Sequence, residues 1–111
     1  MIVVIFEVRL RPERREEYFD LAAHLRPMLE EIDGFISVER FASLVDEGKT
    51  LSLSFWRDEA ALEAWRRHPA HRAAQRRGRN SIFADYRLRV GRIERDYGMH
   101  DRAEAPSDAP S

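Results

Sequence analysis

The sequence has no cysteine among its 111 residues, which excludes a disulfide framework, a thiolate nucleophile and a thiolate metal site. No apolar run approaches the ~20 residues that a membrane-spanning helix needs. The N-terminal stretch MIVVIFEVRL lacks the charged start and the small-residue cleavage site of a signal peptide. No glycine-rich phosphate loop, and hence no flavin or nicotinamide motif, is present. We therefore expect a cytoplasmic protein with no membrane partner, in which redox chemistry relies on the substrate, oxygen or a borrowed cofactor.

The composition is that of a folded domain, with 43% hydrophobic and 35% charged residues. The order of predicted elements is strand, helix, strand, strand, helix, strand, which is typical of an α+β, ferredoxin-like split βαβ fold with both helices on one face of an antiparallel sheet. We expect one domain over residues 1–98 and a flexible C-terminal tail over 99–111. The predicted segments are strand 2–10, helix 12–32, strand 35–42, strand 51–56, helix 58–79 and strand 81–98.

Two prolines mark expected irregularities in the helices. Pro27 lies inside the apolar stripe of the first helix and predicts a kink or a break before it. Pro69 predicts that the second helix restarts after His68, and Asp58 is a suitable residue to cap its start.

One face of this sheet has no helix to cover it. We expect that face to carry Val3, Ile5, Trp56 and apolar residues of the last strand, a surface too apolar to remain in water. A second copy of the chain is therefore the expected cover, giving a homodimer. Two sheets that face each other would leave a semi-enclosed space in each half for a small molecule.

The basic segment AWRRHPAHRAAQRRGR, residues 64–79, contains no acid. Residues 66–95 hold ten arginines against Asp85 and Glu94, a net charge of +8, so the rest of the chain carries −9. The simplest partners for these arginines, within the fold or across a homo-oligomer, are acidic residues of the first helix such as Glu13, Glu16, Glu17 and Asp20. An anion-binding site and a nucleic-acid surface are the alternatives, but the strands lack the aromatic signature of an RNA recognition motif, so we expect no nucleic-acid partner.

The spaced Trp56 and Trp65, the HPAH element and the strand from Asp85-Tyr86 to Arg95-Asp96-Tyr97 resemble the antibiotic biosynthesis monooxygenase domain family. The resemblance covers residues 1–98 and implies a dimeric α/β barrel. The family includes cofactor-free oxygenases of polycyclic phenols, haem-degrading enzymes and members without a known substrate.

Only some of the family's functional residues are present at the matching positions of this chain. The resemblance places Trp65 at a conserved functional position of the cofactor-free oxygenases, whereas their Asn and Tyr positions fall on Ala61 and His71. In the haem-degrading members a histidine stands where this chain has Gln75, and a neutral amide cannot replace an imidazole as an axial iron ligand. Haem is therefore a disfavoured cofactor, and we expect none.

Three residues are the candidate catalytic groups. Glu7 is expected to point into the enclosed space, where burial would raise the pKa of its carboxyl group unless an arginine across the sheet pairs with it. His71 is the alternative base, and Trp65 offers a flat face to an aromatic molecule. We expect no metal site, because no acidic or cysteine cluster lies near His68 and His71. The candidate substrate-binding residues are Ser54, Trp56, His68, Gln75, Phe83 and Tyr86.

The leading hypothesis is a cofactor-independent monooxygenase that acts on an aromatic phenol or a quinol-like molecule with O2, between the sheet and the second helix. His71 or Glu7 would remove the phenolic proton, and the resulting anion would react with oxygen. The alternatives are a non-catalytic small-molecule-binding or stress-response dimer and a haem-binding or haem-degrading protein.

Overall fold

A computed structural model of the protein describes residues 1–109. Its elements are strand β1 (Ile2–Leu10), a 3₁₀ turn (Pro12–Arg14), helix α1 (Arg15–Glu30), strands β2 (Phe35–Ala42) and β3 (Lys49–Trp56), helices α2 (Glu59–Arg67) and α3 (Pro69–Arg77), a π-helical turn (Gly78–Ile82) and strand β4 (Phe83–Arg92). The four strands are antiparallel in the spatial order β2-β3-β1-β4. The predicted ferredoxin-like α+β fold is confirmed. None of the helices within residues 1–109 combines the length and hydrophobicity that crossing a bilayer requires.

The starts of α2 and α3 follow directly from local side-chain chemistry. The Asp58 carboxylate accepts a hydrogen bond from the Ala61 N–H at 2.9 Å, which satisfies one of the free donors of the first helical turn. His68 is extended, as a residue before proline must be, and its Nδ1 accepts a hydrogen bond from the Ala70 N–H at 3.1 Å. Pro69 occupies the first helical position, where its missing N–H costs nothing. The predicted restart after His68 is therefore confirmed.

Two element boundaries differ from the predictions. Helix α1 continues through Pro27 without the break considered above, because Pro27 lies on the exposed side while Met28 and Leu29 next to it pack on the core. Strand β4 begins at Phe83 and ends at Arg92, so it is shorter than the predicted strand 81–98. The π-helical turn before it carries Ile82 into the core with 0% exposure.

Residues 93–109 form turns and extended segments without a regular helix or strand. The flexibility of the tail stays a prediction, and its last residues, 110 and 111, lie outside the described residues.

The strand register decides which side chains share a face. Ile2 pairs with Trp56, and Val3 pairs with Phe55, so Trp56 lies on the helix-covered side and Phe55 on the open side. The prediction that Trp56 belongs to the open face is wrong, because alternation within β3 gives two faces but not which of them meets the helices. The apolar residues at the centre of the open face, all half-buried, are Val3, Ile5, Leu51, Leu53 and Phe55.

The core between sheet and helices consists of two clusters. The first joins one end of β1 to α1 and α2, and its buried members are Ile2, Val4, Leu29, Trp56, Ala61 and Trp65. The second joins the other end of β1 to α1 and the π-helical turn through Val8, Leu10, Tyr18 and Ile82. Gly34 allows α2 to approach this closely, since its φ of +91° and the position of the Ala61 side chain, 2.7 Å from a built Cβ, both exclude a larger residue.

Candidate active site

A cavity of about 320 Å³ lies between the helix-covered face of the sheet and the helices, and both core clusters contribute to its walls. Most of the wall is apolar, as is typical of sites for small organic ligands. The apolar lining comes from Val4, Phe6, Leu21, Ala22, Leu25, Leu29, Val38, Trp56, Leu62, Trp65, Ala74, Phe83, Leu88 and Val90. The cavity is thus a space within one chain, on the side of the sheet opposite to the open face.

Trp65 and His71 meet in the wall formed by α2 and α3. Their ring centroids are 4.9 Å apart with the planes inclined by 34°, so the imidazole lies partly over the indole. The predicted restart at Pro69 makes this contact possible, because the change of direction between the two helices brings residues six positions apart together.

His71 is chemically unusual in this wall. Its Nδ1 is buried and has no hydrogen-bond partner among residues 1–109. Burial, and to a lesser extent the neighbouring His68, lower the pKa of His71 below its ordinary value of 6.5, while a hydrogen bond with the Arg66 backbone opposes them. The ring is therefore mainly neutral at pH 7, as a general base requires.

A group of aromatic rings forms the wall near β4. Phe6 lies 5.6 Å from both Phe83 and Tyr86 between ring centroids, and Tyr18 lies 6.2 Å from Phe83. Most of these contacts are edge-to-face, the arrangement favoured by the ring quadrupoles. The cavity therefore has aromatic surfaces on both the helix side and the strand side.

The structure brings seven of the nine sequence-predicted site residues to this cavity. They are Ser54, Trp56, Trp65, His71, Gln75, Phe83 and Tyr86. Trp56 Nε1 donates to Ser54 Oγ at 3.0 Å, which fixes the indole and leaves the serine hydroxyl proton available to a ligand. His68 is the eighth, and it caps α3 instead of lining the cavity.

Glu7 is the ninth, and it points away from the cavity. It lies on the open face, where its carboxylate pairs with Lys49 at 3.2 Å and with Arg89 at 3.3 Å. The hydrogen bond from Lys49, followed in effect by that from Arg89, lowers the pKa of Glu7 despite some desolvation. Glu7 lies on the same face as Val3 and Ile5, as expected, and the ion pair with an arginine across the sheet, the alternative considered for it, is present. The cavity between the sheet and the helices does not include Glu7.

Polar residues that sequence reasoning missed also line the cavity. Arg40 on β2 is half-buried, and its Nε donates to the Tyr18 hydroxyl at 3.3 Å. Ser52 is the direct neighbour of Arg40 across the strands. The sequence gives one signal for Arg40: it stands two residues after Val38 in the strand and therefore lies on the same face as Val38. Among residues 1–109 no group of three or more metal-ligating side chains comes together.

The arginines of the basic segment divide between two environments. Arg77 forms an ion pair with Glu17 of α1, and Arg67 pairs with Glu63 at 2.6 Å. Arg66 and Arg79 instead belong to the cavity lining. Pairing with the first helix, the simplest interpretation of the segment, is therefore confirmed for Arg77.

The family model for antibiotic biosynthesis monooxygenase matches residues 1–77. The chain belongs to the antibiotic biosynthesis monooxygenase family. It is 48% identical over 93 residues to the protein named jasmonate monooxygenase ABM of Pyricularia oryzae, a match that covers 84% of this chain but 43% of that protein. It is also 28% identical over 92 residues to YqjZ of Bacillus subtilis, covering 83% of this chain and 78% of YqjZ. The chain thus spans less than half the length of the Pyricularia relative.

Solved structures with low sequence identity to this chain share its fold. Rv0793 from Mycobacterium tuberculosis superposes with a TM-score of 0.77 at 18% identity, covering 87% of this chain and 98% of its own. A conserved protein from Methanosarcina mazei gives a TM-score of 0.74 at 19% identity, covering 82% and 90%. At these identities the similarity concerns the fold alone.

Proposed function

We propose that this chain is a cofactor-independent monooxygenase that oxidises an aromatic phenol or quinol-like molecule with O2 inside the cavity between the sheet and the helices. The observation that carries the proposal is His71, a half-buried imidazole whose buried Nδ1 has no hydrogen-bond partner among residues 1–109 and whose ring lies against Trp65 in a mainly apolar wall. A buried polar nitrogen without a partner is rare in folded proteins and is favoured where a ligand completes its hydrogen bonding. The name of the Pyricularia relative is consistent with oxidation of a small organic molecule.

The proposed chemistry begins with proton transfer. Neutral His71 accepts the phenolic proton, and the electron pair of the broken O–H bond delocalises into the ring. A ring carbon then forms a bond with O2, and the peroxide oxygen takes the proton back from His71, so that O2 is reduced to a hydroperoxide as the ring is oxidised. Cleavage of the O–O bond with loss of the C–H proton gives a quinone carbonyl and water, so phenol and O2 are consumed in equal amounts without a further reductant.

The wall residues support this chemistry by binding and by excluding water. Trp65 and the rings near β4 offer flat apolar surfaces on which an aromatic substrate can stack. Gln75 stands where haem-degrading members carry a histidine, and a carboxamide is not an axial ligand for iron, so the proposal contains no haem step.

A homodimer forms part of the proposal. The open face has five half-buried apolar residues at its centre, and a second copy is an occupant that would remove them from water. The cavity lies on the other side of the sheet, so dimer formation would leave it accessible to a ligand.

The experiment that tests the proposed activity is oxygen uptake by the purified chain with hydroxylated polycyclic phenols. The expected result is saturable uptake that matches quinone formation, in the presence of a chelator and without an added cofactor. Saturable binding without uptake would instead favour a non-catalytic small-molecule-binding protein, and a Soret band shifted from that of free haem on addition of haem would favour a haem protein.

A further inference from the structure

The charge of the cavity lining is of one sign. Four arginines contribute to the wall, whereas no aspartate or glutamate does. They are Arg26, Arg40, Arg66 and Arg79. Since the whole chain has 20 acidic and 19 basic residues, a wall with only basic ones departs from its overall composition. A site of this kind favours an anion.

Arg40 differs from the other three. Arg26 pairs with Glu30 at 3.0 Å, and Arg66 and Arg79 are exposed to solvent. Arg40 is half-buried, and no carboxylate among residues 1–109 lies within ion-pair distance of it. Removing a guanidinium from water is costly unless an anion or several hydrogen bonds compensate for it, so the site lacks a counter-ion.

The groups around Arg40 are oriented to complete an anion site. Its guanidinium lies 5.8 Å from the ring centroid of Tyr18, and its Nε donates to the Tyr18 hydroxyl. That hydroxyl accepts one hydrogen bond and still has a proton to donate. Ser52, directly across the strands, adds a second hydroxyl on the same face. The remaining guanidinium N–H groups and two hydroxyls can therefore bind both oxygens of a carboxylate.

We infer that the ligand of this cavity is an amphipathic carboxylate, whose apolar body lies among the aromatic walls and whose carboxylate binds to Arg40 with Tyr18 and Ser52. This inference rests on the proposed function for the identity of the cavity as a substrate site, and it narrows the substrate class to aromatic molecules that carry an acid group. Arg40 is a specificity-determining residue in this assignment, because a neutral analogue leaves its charge without a partner.

The test compares the binding of hydroxynaphthoate with that of its methyl ester, by isothermal titration calorimetry at neutral pH. The two probes share the aromatic body and the phenol but differ in charge. We expect the wild-type chain to bind the carboxylate with a Kd at least about tenfold lower than that of the ester, as a charge-assisted hydrogen bond in a partly buried site implies. Equal affinities, or no saturable binding of the carboxylate, would overturn the inference.

Variants then assign the effect to Arg40. In R40Q the preference for the carboxylate should disappear, while the Kd of the ester stays within about twofold. Arg67→Gln is the matched control, since it removes the same charge from an exposed residue that pairs with Glu63 outside the cavity. Loss of the preference in both variants would mean long-range attraction and overturn the assignment. If R40Q unfolds, Arg40→Met supplies the same comparison because it also removes the charge, and an unchanged preference in it overturns the assignment.

Oxygen uptake separates this inference from the proposed function. Tight binding of hydroxynaphthoate through Arg40 without oxidation of any phenol would refute the monooxygenase proposal and leave the carboxylate site intact. Oxidation of neutral phenols with no preference for acids would support the monooxygenase proposal and refute the carboxylate site.

Discussion

The helix-covered face and the open face of the sheet come from the same four strands, but their polar groups have different surroundings. On the open face, Glu7 is surrounded by two cations, Lys49 and Arg89, and all three charges are satisfied within the chain. On the helix-covered face, Arg40 has no acid beside it and His71 Nδ1 has no hydrogen-bond partner among residues 1–109. The contrast is therefore between a carboxylate that has charged partners and, on the other side, an arginine without an acid and an imidazole nitrogen without a hydrogen-bond partner.

This difference separates a structural surface from a candidate site. Buried polar groups in folded proteins are almost always hydrogen-bonded, so the unpartnered His71 Nδ1, together with an arginine that has no acid beside it among residues 1–109, is what a ligand in the cavity would complete. On the open face the Glu7 carboxylate already has its two cationic partners, Lys49 and Arg89. In the proposals above, the two faces would have different occupants, a small molecule on the helix-covered side and a second copy of the chain on the open side.

The largest expected effect is on the rate of oxygen uptake, and it compares His71 on the helix-covered side with Glu7 on the open side. His71→Ala should reduce the rate of oxygen uptake with a phenol substrate roughly 10²- to 10⁴-fold, because a general base contributes about this factor. Glu7→Gln should retain most of the wild-type rate, since its carboxylate lies on the other side of the sheet. Steady-state oxygen electrode measurements on both variants check the prediction.

Substrate binding serves as the control for these two variants. His71→Ala should still bind the phenol, because the aromatic walls are unchanged. A rate that survives in His71→Ala but falls in Glu7→Gln would reverse the assignment and move the chemistry to the open face.

The next effect concerns stability at neighbouring residues of one strand. Trp56 is 2% exposed on the helix-covered side, and Phe55 is half-buried on the open side. Trp56→Ala should lower the free energy of unfolding by about 3–5 kcal/mol at any protein concentration. Phe55→Ala should cost less than about 2 kcal/mol in dilute solution, and more as the concentration rises and a dimer forms. Urea unfolding at several concentrations checks both.

Light scattering under the same conditions decides the role of the open face. A wild-type chain that remains monomeric at micromolar concentration, together with a Phe55→Ala cost that is independent of concentration, would show that no second copy covers this surface.

A third prediction concerns the π-helical turn that leads from α3 into β4. A Cβ added at Gly78 would lie 2.4 Å from the ring of Phe83, which itself lines the cavity. Gly78→Ala should therefore lower stability by about 1–3 kcal/mol, as overpacking of a filled site does, and displace the ring toward the ligand. Gly98→Ala is the matched control, since no atom lies within 4 Å of its added Cβ. Thermal unfolding of both variants checks the difference, and an equal effect would mean that the turn relaxes freely.

The elements of the fold follow from local sequence signals. Alternation gave the strands, Asp58 and Pro69 gave the starts of α2 and α3, and the order of elements gave the sheet. Pro27 does not break α1, since the neighbouring Met28 and Leu29 pack on the core; the kink, the other outcome considered for Pro27, stays a prediction.

The candidate site was harder to predict because it depends on register between distant strands. The sequence LSLSFW shows two faces, but only its pairing with β1 decides that Ser54 and Trp56 meet the helices. The same uncertainty left Arg40 unnoticed, because the sequence does not show that its face of β2 meets the helices. Residues on α2 and α3, such as Trp65 and His71, were predictable because helical spacing and the proline restart place them relative to each other.

The smallest expected effect concerns the pKa of one imidazole, that of His71. The pKa of His71 lies below 6.5 because burial disfavours its charged form. The unfolded chain therefore binds this proton at higher pH than the folded chain does. Above pH 6.5 the ring is neutral in both states and His71 does not reduce the free energy of unfolding. As the pH falls from 6.5 through the pKa of the folded chain, this free energy decreases because the unfolded chain takes up the proton first. NMR titration, with His71→Gln to assign the signal, should give a midpoint below 6.5, and the rate of oxygen uptake should fall at that same midpoint. A midpoint at or above 6.5 would mean that water or an acid reaches the ring, and the helix-covered face would then lose the unsatisfied group that sets it apart from the open one.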